Sequence, residues 1–133
     1  MYRLFALATA LAIATAGCAF PQQGSETPDQ IGGTYYVNGT DARGVEYGGR
    51  LTISRADNRA DYELQWIITG SIQTGTGTFG RGILDATWRT AEGFAPLSGT
   101  ARYELQDDGS LIGERFEDGR DVPGYEEAFP VLE

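Results

Sequence analysis

Two neighbouring segments of the chain alternate between residues typical of a protein interior and residues typical of its surface. Residues 47–53 read YGGRLTI and residues 62–68 read YELQWII, so that large apolar or small side chains occupy every second position. Successive side chains of a strand point to opposite faces, and a period of two therefore predicts half-buried antiparallel strands. The polar residues 56–59 between the two segments predict the connection.

The remainder of the chain repeats this pattern in short segments separated by turn residues. Turns that contain glycine, most of them with aspartate, are predicted at residues 41–44, 80–82, 107–110 and 117–120. Six further strands are predicted around residues 35–37, 71–79, 84–88, 101–105, 111–117 and 125–131. A meander of this kind removes its exposed edges by closing on itself. The predicted fold is therefore all-β, a small antiparallel up-and-down β-barrel of about eight strands.

The first eighteen residues have the pattern of an export signal. Arg3 is followed by an apolar run, residues 4–14, which is too short to span a bilayer about 30 Å thick. The sequence TAGC at residues 15–18 resembles the lipobox of bacterial lipoproteins, with Thr15 in the place usually held by leucine, and the resemblance implies that Cys18 is acylated. The alternative is ordinary cleavage after Ala16, which leaves Cys18 as a free thiol. Residues 1–17 are thus predicted to be the signal peptide.

A polar segment follows the cysteine and predicts a tether. Residues 18–31 contain Pro21 and Pro28 and little that can be buried, so residues 32–133 are left as the folded barrel domain. By the same resemblance to lipoproteins, Ala19 in place of aspartate after the cysteine favours the outer membrane of the cell envelope, with the domain facing the periplasm.

Composition and charge narrow the function classes. The chain has 19 glycines, which argues against a helical bundle, and its net charge is −9. All basic residues are arginines. An acidic domain repels nucleic acid and anionic lipid headgroups, so the partners that remain are basic proteins, cations and neutral ligands.

The residue types exclude several kinds of catalysis. With no histidine and a single cysteine, the chain cannot build a Ser-His-Asp triad, a Cys-His pair or an ordinary zinc site. Acidic residues at 107–108 and 117–121 lack the spacing of a calcium loop, and nothing places two carboxylates across one cleft as glycoside hydrolysis requires. The GTGTFG run at residues 75–80 matches a nucleotide-binding fingerprint, but a strand follows it instead of a helix. We predict no cofactor, no metal and no enzymatic activity.

Several segments resemble a known family. GTY at residues 33–35, YGGRLTI at 47–53, YELQW at 62–66 and DGSLIG at 108–113 are similar to small secreted bacterial β-barrels, some of which carry a fibronectin-binding label. The matching residues are turn glycines and core aromatics. The resemblance implies a calycin-like barrel, similar in architecture to the avidins and lipocalins.

Two binding sites are predicted, for different ligands. The aromatic residues on the inward faces fill the barrel core or line an apolar pocket at one barrel mouth that takes a small ligand: Tyr35, Tyr47, Tyr62, Trp66 and Trp88. The alternative is a protein-binding surface of the kind that lysozyme-inhibitor lipoproteins direct at a basic enzyme. Its predicted residues are Glu117, Asp118 and Asp121, within a strongly acidic C-terminal segment.

Overall fold

The chain folds as a closed barrel of eight antiparallel strands. The computed structural model describes residues 30–57 and 61–132. The strands in chain order are β1 (Gly33–Thr40), β2 (Glu46–Arg55), β3 (Tyr62–Ile68), β4 (Ser71–Gly80), β5 (Ile83–Thr90), β6 (Ser98–Leu105), β7 (Leu111–Glu117) and β8 (Gly124–Pro130). Each strand pairs with the next along the chain, and β8 pairs with β1 to close the sheet. The predicted all-β up-and-down barrel is confirmed.

The described residues contain no helix long and apolar enough to cross a membrane. The predicted signal peptide, Cys18 and most of the tether lie outside the described residues. Ile31, which the sequence placed in the tether, is 2% exposed and packs in the core.

The inward face of every strand follows the period of two that the sequence shows. In β3 the inward residues Tyr62, Leu64 and Trp66 are each at most 4% exposed. Their neighbours Glu63 and Gln65 face solvent. Burying such apolar side chains stabilises the barrel by about 25 cal/mol per Å² removed from water.

Glycines on the inward face make room for the large rings. A Cβ added at Gly99 would lie 2.9 Å from Cζ2 of Trp88, the residue paired with it across β5 and β6. A Cβ added at Gly113 would lie 2.6 Å from Cδ1 of Tyr103 across β6 and β7. The glycine content of this chain therefore serves close packing inside the barrel as well as its turns.

One tight turn needs a left-handed backbone. Arg81 and Gly82 join β4 to β5, with φ angles of 55° and 78°. A two-residue hairpin with both φ angles positive follows the right-handed twist of the flanking strands. Gly75 and Gly77, by contrast, lie within β4 and not in a turn.

The two ends of the barrel differ. At the mouth, the connections 41–45, 69–70, 91–97 and 118–123 surround an opening. At the closed end, where the described chain begins and ends, Ile31, Tyr35 and Leu111 are buried, and Tyr35 Oη accepts a hydrogen bond of 2.9 Å from the Gly32 amide. The described chain therefore begins and ends at the closed end, opposite the mouth.

The last strand is present where the sequence predicted it, but its apolar residues are on the outside. Tyr125 is 58% exposed and Phe129 is 37% exposed, whereas Glu126 is 1% exposed and Ala128 is completely buried. On β7 the inward set likewise includes a charged residue, Arg115, which is 7% exposed. Among the described residues, the barrel interior thus contains two charged side chains, Arg115 and Glu126.

Candidate functional site

The two inward charges form an ion pair between neighbouring strands. Arg115 pairs with Gly124, and Glu126 pairs with Gly113, so the two charged residues are diagonal neighbours on β7 and β8. Arg115 Nη1 lies 3.1 Å from Glu126 Oε1, and the two side chains are 7% and 0% exposed. Buried charges are rare in protein interiors unless they are paired, and here each compensates the other.

The Glu126 carboxylate accepts two hydrogen bonds on each oxygen. Oε1 accepts from Tyr47 Oη at 2.7 Å and from Arg115. Oε2 accepts from Trp66 Nε1 at 3.1 Å and from Tyr103 Oη. A carboxylate has about four acceptor positions, so the side chain of Glu126 is fully used by the protein.

The Arg115 guanidinium lies close to two indole rings. Its Cζ is 4.9 Å from the Trp66 ring centre and 4.5 Å from the Trp88 ring centre. At its edge, Nη2 donates a hydrogen bond to Gln73 Oε1. Cation–π contacts with two rings and charged hydrogen bonds to two side chains hold the group in place.

The surroundings raise the pKa of three groups of this cluster, Arg115, Tyr47 and Tyr103. Burial by itself lowers the pKa of Arg115, but the Glu126 carboxylate and the nearby tyrosines outweigh burial, and the pKa lies above its usual value. Burial, together with the Glu126 carboxylate, raises the pKa of Tyr47 and of Tyr103. Both tyrosines therefore remain hydroxyl donors to Glu126 at any physiological pH.

A pocket of about 200 Å³ lies directly above the ion pair and opens at the mouth. Arg115 and Gln73 line its deepest part, because both side chains are buried in the barrel interior. Tyr47, Trp88, Ile68 and Leu97 contribute aromatic and apolar walls, and charged residues such as Asp41 and Arg43 line the rim. An apolar concavity with a few convergent polar groups is the usual form of a small-molecule site.

An ion-pair network crosses the rim of the pocket. Arg43, in the β1–β2 connection, donates two hydrogen bonds of 3.2 Å to the carboxylate of Glu117 at the end of β7. Arg120 contacts the same carboxylate at 2.5 Å. Glu117 is 12% exposed in its side chain, so its charge is largely matched by the two arginines.

Three wider depressions lie on the outer surface of the sheet. The largest, of about 850 Å³, is lined mostly by threonine, serine and charged side chains, including Thr74, Thr76 and Thr100. These residues face solvent or are half-buried. Another, of about 390 Å³, is lined in part by Tyr47 and Glu126. The mouth pocket is the one of the four that is lined by Arg115 and Gln73, and it is therefore the candidate site among the described residues.

The predicted aromatic residues separate into two groups. Tyr47 and Trp88 line the mouth pocket, and Trp66 lies beneath it against Arg115. Tyr35 and Tyr62 are at the closed end, 2% and 4% exposed, and do not line the pocket.

The predicted acidic residues lie together at the mouth. Glu117 ends β7, and Asp118 and Asp121 follow it in the β7–β8 connection. Asp118 accepts a hydrogen bond of 2.7 Å from Ser98 Oγ, and both aspartates are exposed.

Arg115, Glu126 and Gln73 were missed by the sequence reasoning. Each residue occupies a position in phase with the buried face of its strand: Arg115 with Leu111, Glu126 with Ala128, and Gln73 with Gly75 and Gly77. A charged residue at a position that the alternation assigns to the inward face could have indicated this site. The pattern does not show which strands bring the two charges together.

Comparison with known proteins shows the fold but no family. No protein-family model matches the chain, and no curated protein matches it. Among solved structures, the chain is similar to a redesigned β-barrel, mFAP1, bound to DFHBI, with a TM-score of 0.63 and 12% sequence identity. The alignment covers 76% of this chain and 95% of that chain. At this identity the similarity is one of barrel fold.

Proposed function

We propose that this protein is a non-catalytic binding module that takes a small molecule into the mouth of its barrel. The observation that carries the proposal is the pocket whose deepest residues are Arg115 and Gln73, while the closed end of the same barrel is filled by side chains. The redesigned barrel of similar fold holds a small molecule, which supports the use of such a barrel for binding.

The size of the pocket limits the ligand. A cavity of about 150 Å³ holds a benzene molecule, and pockets for drug-sized ligands begin at about 300 Å³. The mouth pocket, at about 200 Å³, is of the size for a single substituted ring.

The protonation states favour binding over catalysis. The acceptor positions of Glu126 are occupied by Tyr47, Trp66, Tyr103 and Arg115, which leaves the carboxylate unable to accept a proton from a substrate without breaking a bond. The raised pKa of Tyr47 and Tyr103 holds both hydroxyls in their neutral form.

Binding can be tested by blocking the mouth. Leu97 lines the pocket, so Leu97→Trp fills it, whereas Leu132 is 92% exposed at the closed end and Leu132→Trp is the matched control. We expect ligand-observed NMR with single-ring compounds to detect binding to the native protein and to Leu132→Trp, and to lose it in Leu97→Trp. Equal binding by both variants, or no binding by the native protein, contradicts the proposal.

We propose further that the module is a lipoprotein held by Cys18 on the periplasmic side of the bacterial outer membrane. The described chain begins at the closed end, so a lipid on Cys18 would join the barrel at the end away from the pocket. Metabolic labelling with a fatty-acid analogue should label the native protein and not Cys18→Ser. An unlabelled native protein indicates ordinary cleavage after Ala16 instead.

A further inference from the structure

We infer that the ligand of the mouth pocket is an uncharged ring compound that carries a carbonyl or similar acceptor group. This inference rests on the proposed binding function and adds the chemical class of the ligand. It follows from the hydrogen-bond donors that the pocket leaves unused, from the balance of charge around them and from the shape of the walls.

The deep part of the pocket has more donors than the protein uses. A guanidinium has five N–H donors, and among the described residues Arg115 donates only to Glu126 and Gln73. The Gln73 side chain accepts a hydrogen bond from Arg115 through its Oε1. Its NH₂ group donates to none of the described residues, so these N–H donors are also unused.

Ser71 adds a third unused group. It lines the pocket on the same face of β4 as Gln73, and its buried Oγ has no hydrogen-bond partner among the described residues. A buried polar group without a partner is unfavourable, so a ligand that bonds to it recovers that free energy. The three groups together match a molecule with an acceptor at one end.

The charge balance favours an uncharged ligand. The charge of Arg115 is already matched by Glu126 at 3.1 Å, so an anion gains no unpaired cation here. The rim adds Asp41, Glu46 and Glu117, of which Glu117 is paired with arginines. The acidic side chains of the rim repel a carboxylate as it enters. An ammonium group inside the pocket is repelled by the positive charge of Arg115.

The walls favour a ring. The Arg115 guanidinium lies over the Trp66 and Trp88 rings, and its N–H donors point outward in the plane of the group. Trp88 and Tyr47 also form flat sides of the pocket, which are suited to stacking or edge contacts with an aromatic ring.

Four ring compounds of similar size test separately whether the ligand must be uncharged and whether it must carry an acceptor. Benzamide is neutral with an acceptor, benzoate is anionic, benzylamine is cationic at neutral pH, and toluene has no acceptor. We expect the full-length protein to bind benzamide at least about tenfold more tightly than each of the other three, measured by ligand-observed NMR at one ionic strength, since tenfold corresponds to about 1.4 kcal/mol.

Ser71→Ala provides the matched variant. Because Ser71 Oγ bonds to no described residue, its removal should leave the denaturant midpoint unchanged or higher, while benzamide binding weakens about threefold to tenfold and toluene binding stays the same. Tightest binding by benzoate or benzylamine overturns the charge argument, and equal binding of toluene and benzamide overturns the acceptor argument. In both cases the binding function itself survives. If none of the four compounds binds, both proposals fail.

Discussion

Arg115 and Glu126 face each other at 3.1 Å inside the barrel, although neither strand that carries them shows an uninterrupted apolar face. Burying two charges costs several kcal/mol of hydration, and the pair repays this only through good geometry and further hydrogen bonds. Three further hydrogen bonds, from Tyr47, Trp66 and Tyr103, converge on Glu126. A slip of β8 by one residue would turn Glu126 to solvent and bring Tyr125 inside, so the cluster also specifies the register.

Removing one member of the pair should destabilise the fold more than neutralising both. Arg115→Met leaves the Glu126 carboxylate buried without its cation, and we expect a loss of about 3–5 kcal/mol in the free energy of unfolding. Adding Glu126→Gln should recover more than about 1 kcal/mol, because an amide oxygen is neutral and still accepts hydrogen bonds. Urea denaturation of both variants measures the difference. A double variant less stable than the single one contradicts this account.

Trp66 is predicted to be one of the largest single contributors to stability. It is completely buried, and Trp66→Ala should cost about 3–5 kcal/mol. Trp66→Phe keeps most of the ring but removes the 3.1 Å bond from Nε1 to Glu126, so its cost should be about 1.5–3 kcal/mol. A loss below about 1 kcal/mol for Trp66→Ala in chemical denaturation is incompatible with a buried indole.

Inward glycines should not tolerate a methyl group. In Gly99→Ala the new Cβ would lie 1.8 Å from the carbonyl oxygen of Phe116 as well as against Trp88, so the backbone must move. We expect a loss of about 1–3 kcal/mol or more. Gly80 is the matched control, because it ends β4 with nothing within 4 Å of an added Cβ, and Gly80→Ala should be close to neutral. Thermal unfolding of the two variants tests the contrast, and equal losses oppose it.

Stability should fall at alkaline pH. The folded protein holds the protons of Tyr47 and Tyr103 because their pKa values are raised, while tyrosines of the unfolded chain release theirs near pH 10. The unfolded state therefore binds fewer protons above about pH 10, and each group lowers the free energy of unfolding by about 1.4 kcal/mol per pH unit there. Below about pH 10 the contribution is constant. Urea denaturation at a series of pH values from about 8 to about 11.5 measures this dependence. The urea midpoint should stay constant up to about pH 10 and fall above it.

Tyr103→Phe is the control for the alkaline effect. It removes a hydrogen bond to Glu126 and so lowers stability at every pH, but it also removes one of the protons that the folded state retains. The slope above about pH 10 should become shallower by about 1.4 kcal/mol per pH unit. An unchanged slope indicates that other groups cause the alkaline loss.

The acidic residues at the mouth lead to a separate prediction about basic proteins such as lysozyme. If they attract such a partner, Asp118→Lys with Asp121→Lys should slow association, and the native affinity should fall with salt, because exposed charges are screened over about 10 Å at 0.1 M. Glu117→Lys should in addition destabilise the rim, since Arg43 and Arg120 lose their shared carboxylate. Surface plasmon resonance at low and high salt measures both effects. Association rates that ignore salt and charge reversal argue against this surface.

The sequence by itself determined the architecture. Alternation of apolar and polar residues follows directly from the pleat of a strand, and the Asp-Gly and Gly-Arg-Gly turns mark where the chain reverses. β7, for example, begins at Leu111 and ends at Glu117, as the pattern predicts. These are local properties, which neighbouring residues decide among themselves.

Tertiary structure decided the site, because the site is made by residues that are far apart in the chain. Glu126 is 79 residues from Tyr47 and 60 residues from Trp66, and the hydrogen bonds to both form only when β8 closes the barrel against β1. In sequence, Tyr125 and Phe129 look like the buried residues of that strand, since apolar side chains usually face inwards. The barrel places Glu126 there instead, because the donors of β2, β3, β6 and β7 converge on it and offset the cost of burying its charge.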